Sequence, residues 1–234
     1  MPTKIFVLIP AAGVGARFGA GKPKQYLKVA EKTILEHVVE CFAFSDFISG
    51  IHIGVSDSDP YYAQCELPNS IKRIVGGDSR QTTVINLLQS LQTTAKPDDW
   101  VLVHDAARPT LSHKDLMNLV NSLKSHAVGG ILAKRVSSTI KFSEDRHSIA
   151  HTIDREDLWE ALTPQMFRYA LLSDSMHKCK IQKITVTDES QAVELAGYRP
   201  KIIEAQDPLI KLTRVCDLSI IEAIIKQKKE ETCV

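Results

Sequence analysis

The chain has 234 residues, with 29 Lys plus Arg against 28 Asp plus Glu and a formal net charge of +1. That balance argues against a nucleic-acid or anionic-membrane surface as partner, and the length suits one large domain with an ample core. Five scattered cysteines (Cys41, Cys65, Cys179, Cys216, Cys233) form no Cys-x-x-Cys, which excludes a disulfide frame or zinc site and points to a reduced, cytoplasmic setting.

The first apolar run, Ile5-Phe6-Val7-Leu8-Ile9, reads as a buried strand. It is too short to span a bilayer and lacks a signal-peptide cleavage pattern, so a soluble, untargeted chain is expected. A loop over residues 10–25 follows, holding Gly13, Gly15, Gly19 and Gly21 together with Arg17, Lys22 and Lys24. Small residues let backbone N–H groups approach an anion, and the basic side chains add charge that a bare backbone nest lacks. So much charge suits a reacting triphosphate better than the diphosphate of a dinucleotide. Gly13 and Gly15 match the first two glycines of the dinucleotide fingerprint, but Phe18 stands at the third, and no Gly-Lys-Ser/Thr closes a P-loop.

Thr33-Ile34-Leu35-Glu36 has capping-box spacing and leads a helix with Leu35, Val38, Val39 and Phe42 on its apolar stripe. Residues 51–55 read as the second strand. Residues 71–75 are the third, ending at Gly76-Gly77-Asp78-Ser79-Arg80. A helix with Val84, Leu87, Leu88 and Leu91 on one face comes next. The strand at 100–104 then runs into Asp105-Ala106-Ala107-Arg108-Pro109. Ser112-His113-Lys114-Asp115 caps a helix with Leu116, Leu119, Val120 and Leu123 inward, and residues 130–133 form a further strand. This alternation predicts an α/β fold, a mainly parallel twisted sheet with helices on both faces. The loops at 10–25, 76–83 and 104–109 all follow strands, where such sheets bind ligands, so they are expected to meet at one edge.

Residues 135–155 break the pattern. Two β-type runs flank the polar turn Ser143-Glu144-Asp145-Arg146-His147, which predicts a projecting β-arm. An arm exposes edges unless they are covered, so a partner subunit is expected there, with folding back on its own domain as the other reading. The last third reads as a helix near residues 169–177 and another from Asp188 to Gly197. A strand over 201–205 and a closing helix with Leu218, Ile221, Ile224 and Ile225 follow, residues 226–231 being its solvated end.

Asp105, directly after a strand, is placed to hold Mg²⁺ against phosphate oxygens. By position alone it serves equally well as a partner of Arg108 or a turn cap. Asp207 is a weaker candidate for a second acid. His147 and His151 share an i, i+4 spacing, but on a polar hairpin they are not read as a metal site, and His104 reads as packed beside the site. No Gly-x-Ser-x-Gly elbow supports serine catalysis. Lys211, between Ile210 and Leu212 at an apparent strand end, sits oddly for a solvated lysine. Arg155 and Thr187 are open between binding phosphate or hydroxyls and plain surface or capping roles.

Taken together and in order, these segments resemble the 2-C-methyl-D-erythritol 4-phosphate cytidylyltransferase family. The similar stretches are Pro10-Ala11-Ala12-Gly13 with Arg17, Pro23-Lys24-Gln25-Tyr26-Leu27, Thr33 to His37, Gly76-Gly77-Asp78 with Arg80, and Val103 to Pro109. Ala150 to Arg155, Ala161-Leu162-Thr163-Pro164-Gln165, Thr187-Asp188-Glu189 and Ile210-Lys211-Leu212-Thr213 complete the set. The resemblance implies a Rossmann-like nucleotidyltransferase fold over residues 1–234, with 135–155 as a dimerisation arm within a single domain. It implies transfer of CMP from CTP to 2-C-methyl-D-erythritol 4-phosphate in isoprenoid precursor synthesis, with pyrophosphate released and Mg²⁺ or another divalent cation as cofactor.

Residue by residue, Arg17 and Lys24 match the positions that stabilise charge at the α-phosphate. Lys211 matches the lysine that orients the phosphates, and Asp105 the magnesium-associated aspartate. Ala11, Ala12, Gly13, Gly15, Gly77, Asp78, Thr83, Asp105 and Ala106 fall at nucleotide-binding positions. Asp105, Arg108, Thr139, Arg155, Thr163 and Thr187 fall at acceptor-binding ones, Thr139 and Arg155 reaching into the neighbouring subunit of a homodimer. Three departures stand out: Thr83 for serine, Ser138 for an aspartate before Thr139, and Pro208-Leu209 for polar residues before Ile210-Lys211. Ribitol 5-phosphate cytidylyltransferase shares the nucleotide loops. A catalytically silent nucleotide-binding module would share the fold, though the joint presence of Arg17, Lys24, Asp105 and Lys211 argues against it.

Overall fold

The computed structural model describes residues 3–13, 22–43 and 45–232. Strand β1 (Ile5–Pro10) sends Ile5, Val7 and Ile9 into one core and Phe6 and Leu8 into another. Its unbroken apolar run is that of a strand buried on both faces. A 3-10 turn at Lys24–Tyr26 leads to the small hairpin β2 (Lys28–Val29) and β3 (Lys32–Thr33), which turns through Ala30 and Glu31, both at positive φ. Helix α1 (Ile34–Ala43) opens on the expected capping box. Thr33 N donates to the Glu36 carboxylate, and Glu36 N donates to Thr33 Oγ1 at 3.2 Å.

Strands β4 (Ile48–Val55) and β5 (Lys72–Val75) follow, then α2 (Arg80–Gln89), capped by the Ser79 hydroxyl. Next come β6 (Trp100–Val103), α3 (His113–Leu123), capped by Ser112, and β7 (Gly129–Arg135). Strands β8 (Ile140–Phe142) and β9 (His151–Ile153) pair antiparallel in a sheet of their own, as the arm reading expects. The remainder is β10 (Trp159–Arg168), α4 (Tyr169–Ile181), α5 (Glu189–Leu195), β11 (Lys201–Glu204) and α6 (Asp217–Thr232).

The main sheet runs β11-β7-β10-β6-β1-β4-β5. All pairings are parallel except those of β10, which is antiparallel to β6 and β7. Helices α1 and α3 pack with Trp100 and Leu102 on one face, while α2, α4 and α5 pack with Val101 and Val103 on the other. Helix α6 joins Ile221 and Ile225 to Val29, Ile34 and Leu212 in a third cluster. One strand has no counterpart among the predicted elements, and one local expectation needs correction. Residues 159–168 form a long interior strand although Pro164 sits inside it; the register breaks between Ala161 and Gln165, and the Thr163–Pro164 peptide is cis. Lys211 does not end a strand: β11 stops at Glu204, and residues 205–213 carry no regular structure.

Candidate active site

The loops after β1, β5 and β6 converge as their placement at strand ends requires. Pro10 to Gly13, Gly77 to Ser79 and Asp105 to Ala107 line a cleft of about 220 Å³ with Lys24, Gln25, Arg80, Thr83 and Lys211. Each loop is pinned by the chain beside it. Ala11 N donates to Gly54 O and Gly76 N to Val55 O, both at 2.7 Å. The buried Gln25 amide donates to Ala11 O at 2.8 Å and to Gly13 O at 3.1 Å. Thr83 Oγ1 accepts from Gly77 N at 3.0 Å and donates to Ser79 O at 2.8 Å, so the hydroxyl retained at that position has structural work. A Cβ on Gly76 would stand 2.5 Å from that of Ala12, and one on Gly77 would stand 2.3 Å from Thr82. Both glycines are there because backbone must pass that close.

Asp105 is the electrostatic centre. Lys211 Nζ lies 2.8 Å from its Oδ2, Arg108 Nε 3.4 Å from the same oxygen, and Arg80 Nε 3.2 Å from Oδ1. The pairing with Arg108 therefore exists, but as the longest of three ion contacts. Burial pushes the Asp105 carboxyl up, and the Arg80, Lys211 and Arg108 charges overcome that and hold it well below the usual carboxylate range. Lys211 arrives there from an irregular segment because that segment is tethered. Asp115, itself buried, accepts from Gln206 N at 2.9 Å and Asp207 N at 3.0 Å. Thr110 Oγ1 accepts from Ile210 N, and Ala107 O from Leu212 N, each at 2.8 Å. Lys24 Nζ then donates to Leu212 O at 2.8 Å. Burial and the neighbouring Lys211 charge lower the Lys24 pKa. Two ammonium groups crowded this way are a ready site for a polyanion.

A second cleft of about 180 Å³ adjoins the first and shares Arg80, Asp105 and Lys211 with it. Its other walls include Arg108, Thr163, Gln165 and Thr187. Three groups beneath it form a directed chain. His104 is fully buried, and burial lowers its pKa to about 4, so the imidazole is neutral. Its Nε2–H donates to Arg108 O at 2.9 Å, which leaves Nδ1 to accept from Thr163 Oγ1 at 3.2 Å. Thr163 Oγ1 in turn accepts from Asp105 N at 3.2 Å. His104 thus stands beside the site as expected, and the Thr163 hydroxyl is already engaged. On the far wall, Gln165 joins Asp188 Oδ2 at 2.9 Å and Ser190 N at 2.8 Å, which seats α5 against β10.

Of the residues singled out from sequence, Ala11, Ala12, Gly13, Lys24, Gly77, Asp78, Thr83, Asp105, Ala106 and Lys211 meet in the first cleft, and Asp105, Arg108, Thr163 and Thr187 in the second. Thr139 and Arg155 lie exposed on the arm and border neither cleft; the Arg155 guanidinium donates to Ser137 O. Arg17 and Gly15 lie outside the described residues. Asp207 borders neither cleft. Among the described residues no trio of His, Cys, Asp or Glu is grouped to hold a metal. Two participants were given no role from sequence: Arg80, quoted only as a motif member, and the wholly buried Glu189 that grips it at 2.7 Å and 3.1 Å. Each sits inside a quoted segment, but only the fold unites them.

A family model for 2-C-methyl-D-erythritol 4-phosphate cytidylyltransferase matches residues 5–227. The chain is similar to the enzyme of that name from Vibrio vulnificus, 40% identical over 230 residues and 97% of each chain. It is 43% identical to the one from Actinobacillus pleuropneumoniae serotype 7 over 233 residues, 99% of this chain and 100% of that relative. A crystal structure of a 4-diphosphocytidyl-2C-methyl-D-erythritol synthase superposes with a TM-score of 0.84 at 34% identity, over 96% of this chain and 99% of the other. With a match that spans both clefts and every loop between them, the chain belongs to the 2-C-methyl-D-erythritol 4-phosphate cytidylyltransferase family, nucleotidyltransferases of the non-mevalonate route to isoprenoids.

Proposed function

We propose that CMP passes from CTP to 2-C-methyl-D-erythritol 4-phosphate at Asp105, with CTP in the first cleft and the acceptor in the second. The observation that carries this division is that two adjoining clefts share Arg80, Asp105 and Lys211 as a common wall. An acceptor phosphate oxygen bonds to the α-phosphorus, the bond from that phosphorus to the β-phosphate oxygen breaks, and pyrophosphate leaves. The phosphate monoester is already a nucleophile, so no serine and no strong base is needed. The obstacle is the meeting of two anions, and positioned positive charge answers it.

In this reading Lys24 and Arg17 stabilise charge at the α-phosphate, and Lys211, fixed by Asp105, orients the reacting groups. Ala11, Ala12, Gly13, Gly15, Gly77, Asp78, Thr83 and Ala106 hold the nucleotide. Arg108 and Thr187 hold the acceptor, and Thr163, whose hydroxyl is engaged by His104 and Asp105 N, shapes the cleft that takes it. Thr139 and Arg155 reach it from the arm of a second copy, so residues 135–155 act as a dimerisation arm on one nucleotidyltransferase domain. Asp105 Oδ1 accepts a single hydrogen bond, from Arg80 Nε, and so keeps acceptor capacity for Mg²⁺, an ion that takes one or two carboxylates and fills its remaining positions with water and phosphate oxygens. Bound there it would neutralise phosphate charge. The phosphate substrates are water-soluble, and we place the enzyme with them in the cytoplasm; no helix among the described residues is long and apolar enough to cross a membrane.

The test is pyrophosphate release from CTP and Mg²⁺ with methylerythritol 4-phosphate and ribitol 5-phosphate side by side. Release with the first acceptor alone is expected, and EDTA should abolish it. Faster release with ribitol phosphate would keep the nucleotide cleft and reassign the second one. CTP binding with no release from either acceptor would favour the silent module.

A further inference from the structure

Glu189, the first residue of α5, is wholly buried and meets Arg80 twice, Oε1 to Nη1 at 2.7 Å and Oε2 to Nη2 at 3.1 Å. Arg80 leaves the start of α2 and meets Asp105 Oδ1 through Nε and Nη2, both at 3.2 Å. A guanidinium offers five N–H groups in one plane. Here one carboxylate takes the Nη pair and another the Nε edge. We propose that Glu189 is a positioning residue for the transfer: it turns Arg80 away from the phosphates and commits it to holding the Asp105 carboxylate. The inference rests on Asp105 being the reaction centre.

Arg80 borders both clefts. A free guanidinium there would take a phosphate group by two parallel hydrogen bonds. That grip would tighten CTP in the ground state and retain pyrophosphate after transfer, with no gain in the step itself. Charge leads to the same place. Asp105 faces three cations, Arg80, Arg108 and Lys211, and Glu189 offsets one of them from the buried side. Stability alone does not call for this pair, since well-packed apolar residues replace a buried ion pair at little or no loss.

Two variants test it, with CTP and pyrophosphate binding measured by calorimetry beside steady-state kinetics. Glu189→Gln frees Arg80, so CTP and pyrophosphate are expected to bind about tenfold more tightly, the worth of one charge-assisted pair. In the same variant kcat falls by about tenfold, so KM and kcat drop together, which a merely structural loss does not produce. The double variant Arg80→Met/Glu189→Leu replaces the buried pair by apolar side chains and is expected to fold if the single one does not. It should keep CTP affinity within about threefold while losing kcat. Unchanged or weaker CTP and pyrophosphate binding in Glu189→Gln overturns the proposal. So does a tenfold loss of CTP affinity in the double variant, which would mean that Arg80 already grips phosphate. Asp105→Asn separates this from the site reading. Full turnover there removes Asp105 from the reaction, whereas a dead Asp105→Asn with failed Glu189 outcomes removes only the role of Glu189.

Discussion

Lys24 is held half-buried, 2.8 Å from Leu212 O and within the field of Lys211, a placement that costs the folded chain and is relieved when a polyphosphate binds. Lys24→Ala should therefore lower kcat by about two orders of magnitude, the scale for losing one preorganised donor at a reacting centre. Its melting temperature should stay level or rise. The same kinetic loss is expected of Arg17→Ala. Gly77 answers to a different constraint. A Cβ there meets Thr82 at 2.3 Å, so Gly77→Ala must displace the loop and should raise KM for CTP more than it lowers kcat. His104 sets a pH limit. Its folded pKa is depressed to about 4 from 6.5 by burial, so its contribution to stability is complete above pH 6.5 and is lost as pH falls toward 4. The slope in that window is about 1.4 kcal/mol per pH unit for one proton. Urea midpoints should thus fall between pH 7 and pH 5, and a flat profile would place a protonated imidazole in that pocket.

At the scale of elements, the loop that brings Lys211 to Asp105 depends on one carboxylate. Asp115 holds Gln206 N and Asp207 N from the first turn of α3. Asp115→Ala would leave two backbone donors without their acceptor, each such bond to a charged group being worth about 1.5–3 kcal/mol. The variant should lose stability in urea titration and lose kcat as Lys211 drifts. None of this is written locally in the chain. Ile210-Lys211-Leu212 looks like a strand end because two apolar residues flank a lysine, but Leu212 packs with α6 instead of a sheet neighbour. The strand over Trp159–Arg168 was hidden for the opposite reason: a proline argues against an interior strand, and only the register break around Pro164 admits it. By contrast β1, β6 and the capped helices α1 and α3 were legible, because the apolar runs and caps that define them are local. The nucleotide cleft was legible for the same reason, its loops following such strands. The Arg80–Glu189 contact joins residues 109 apart, beyond the reach of any spacing rule.

At the scale of the whole molecule, the arm is a separate two-stranded sheet with Phe142 and Ile149 exposed. If Arg155 serves the partner's acceptor cleft, Arg155→Ala should raise KM for the acceptor and leave CTP affinity untouched. Mixing it with Lys24→Ala should then restore activity, because a mixed dimer holds one site with both wild-type residues. At an acceptor concentration well below the raised KM, random exchange would give about a quarter of the wild-type rate, and mixtures no faster than the two parents assayed apart would place Arg155 outside the neighbouring site. Strand β10 gives the arm and the cleft a common member. Leu158, at its threshold, bonds to Arg155 O and Val136 N, and five residues on Thr163 receives Asp105 N. Binding free energies linked through one strand are reciprocal. If the chain dimerises through this arm as proposed, whatever factor assembly adds to acceptor affinity the acceptor must add to assembly, so methylerythritol phosphate should lower the dimer dissociation constant in sedimentation runs, and dilution should weaken the acceptor before it weakens CTP.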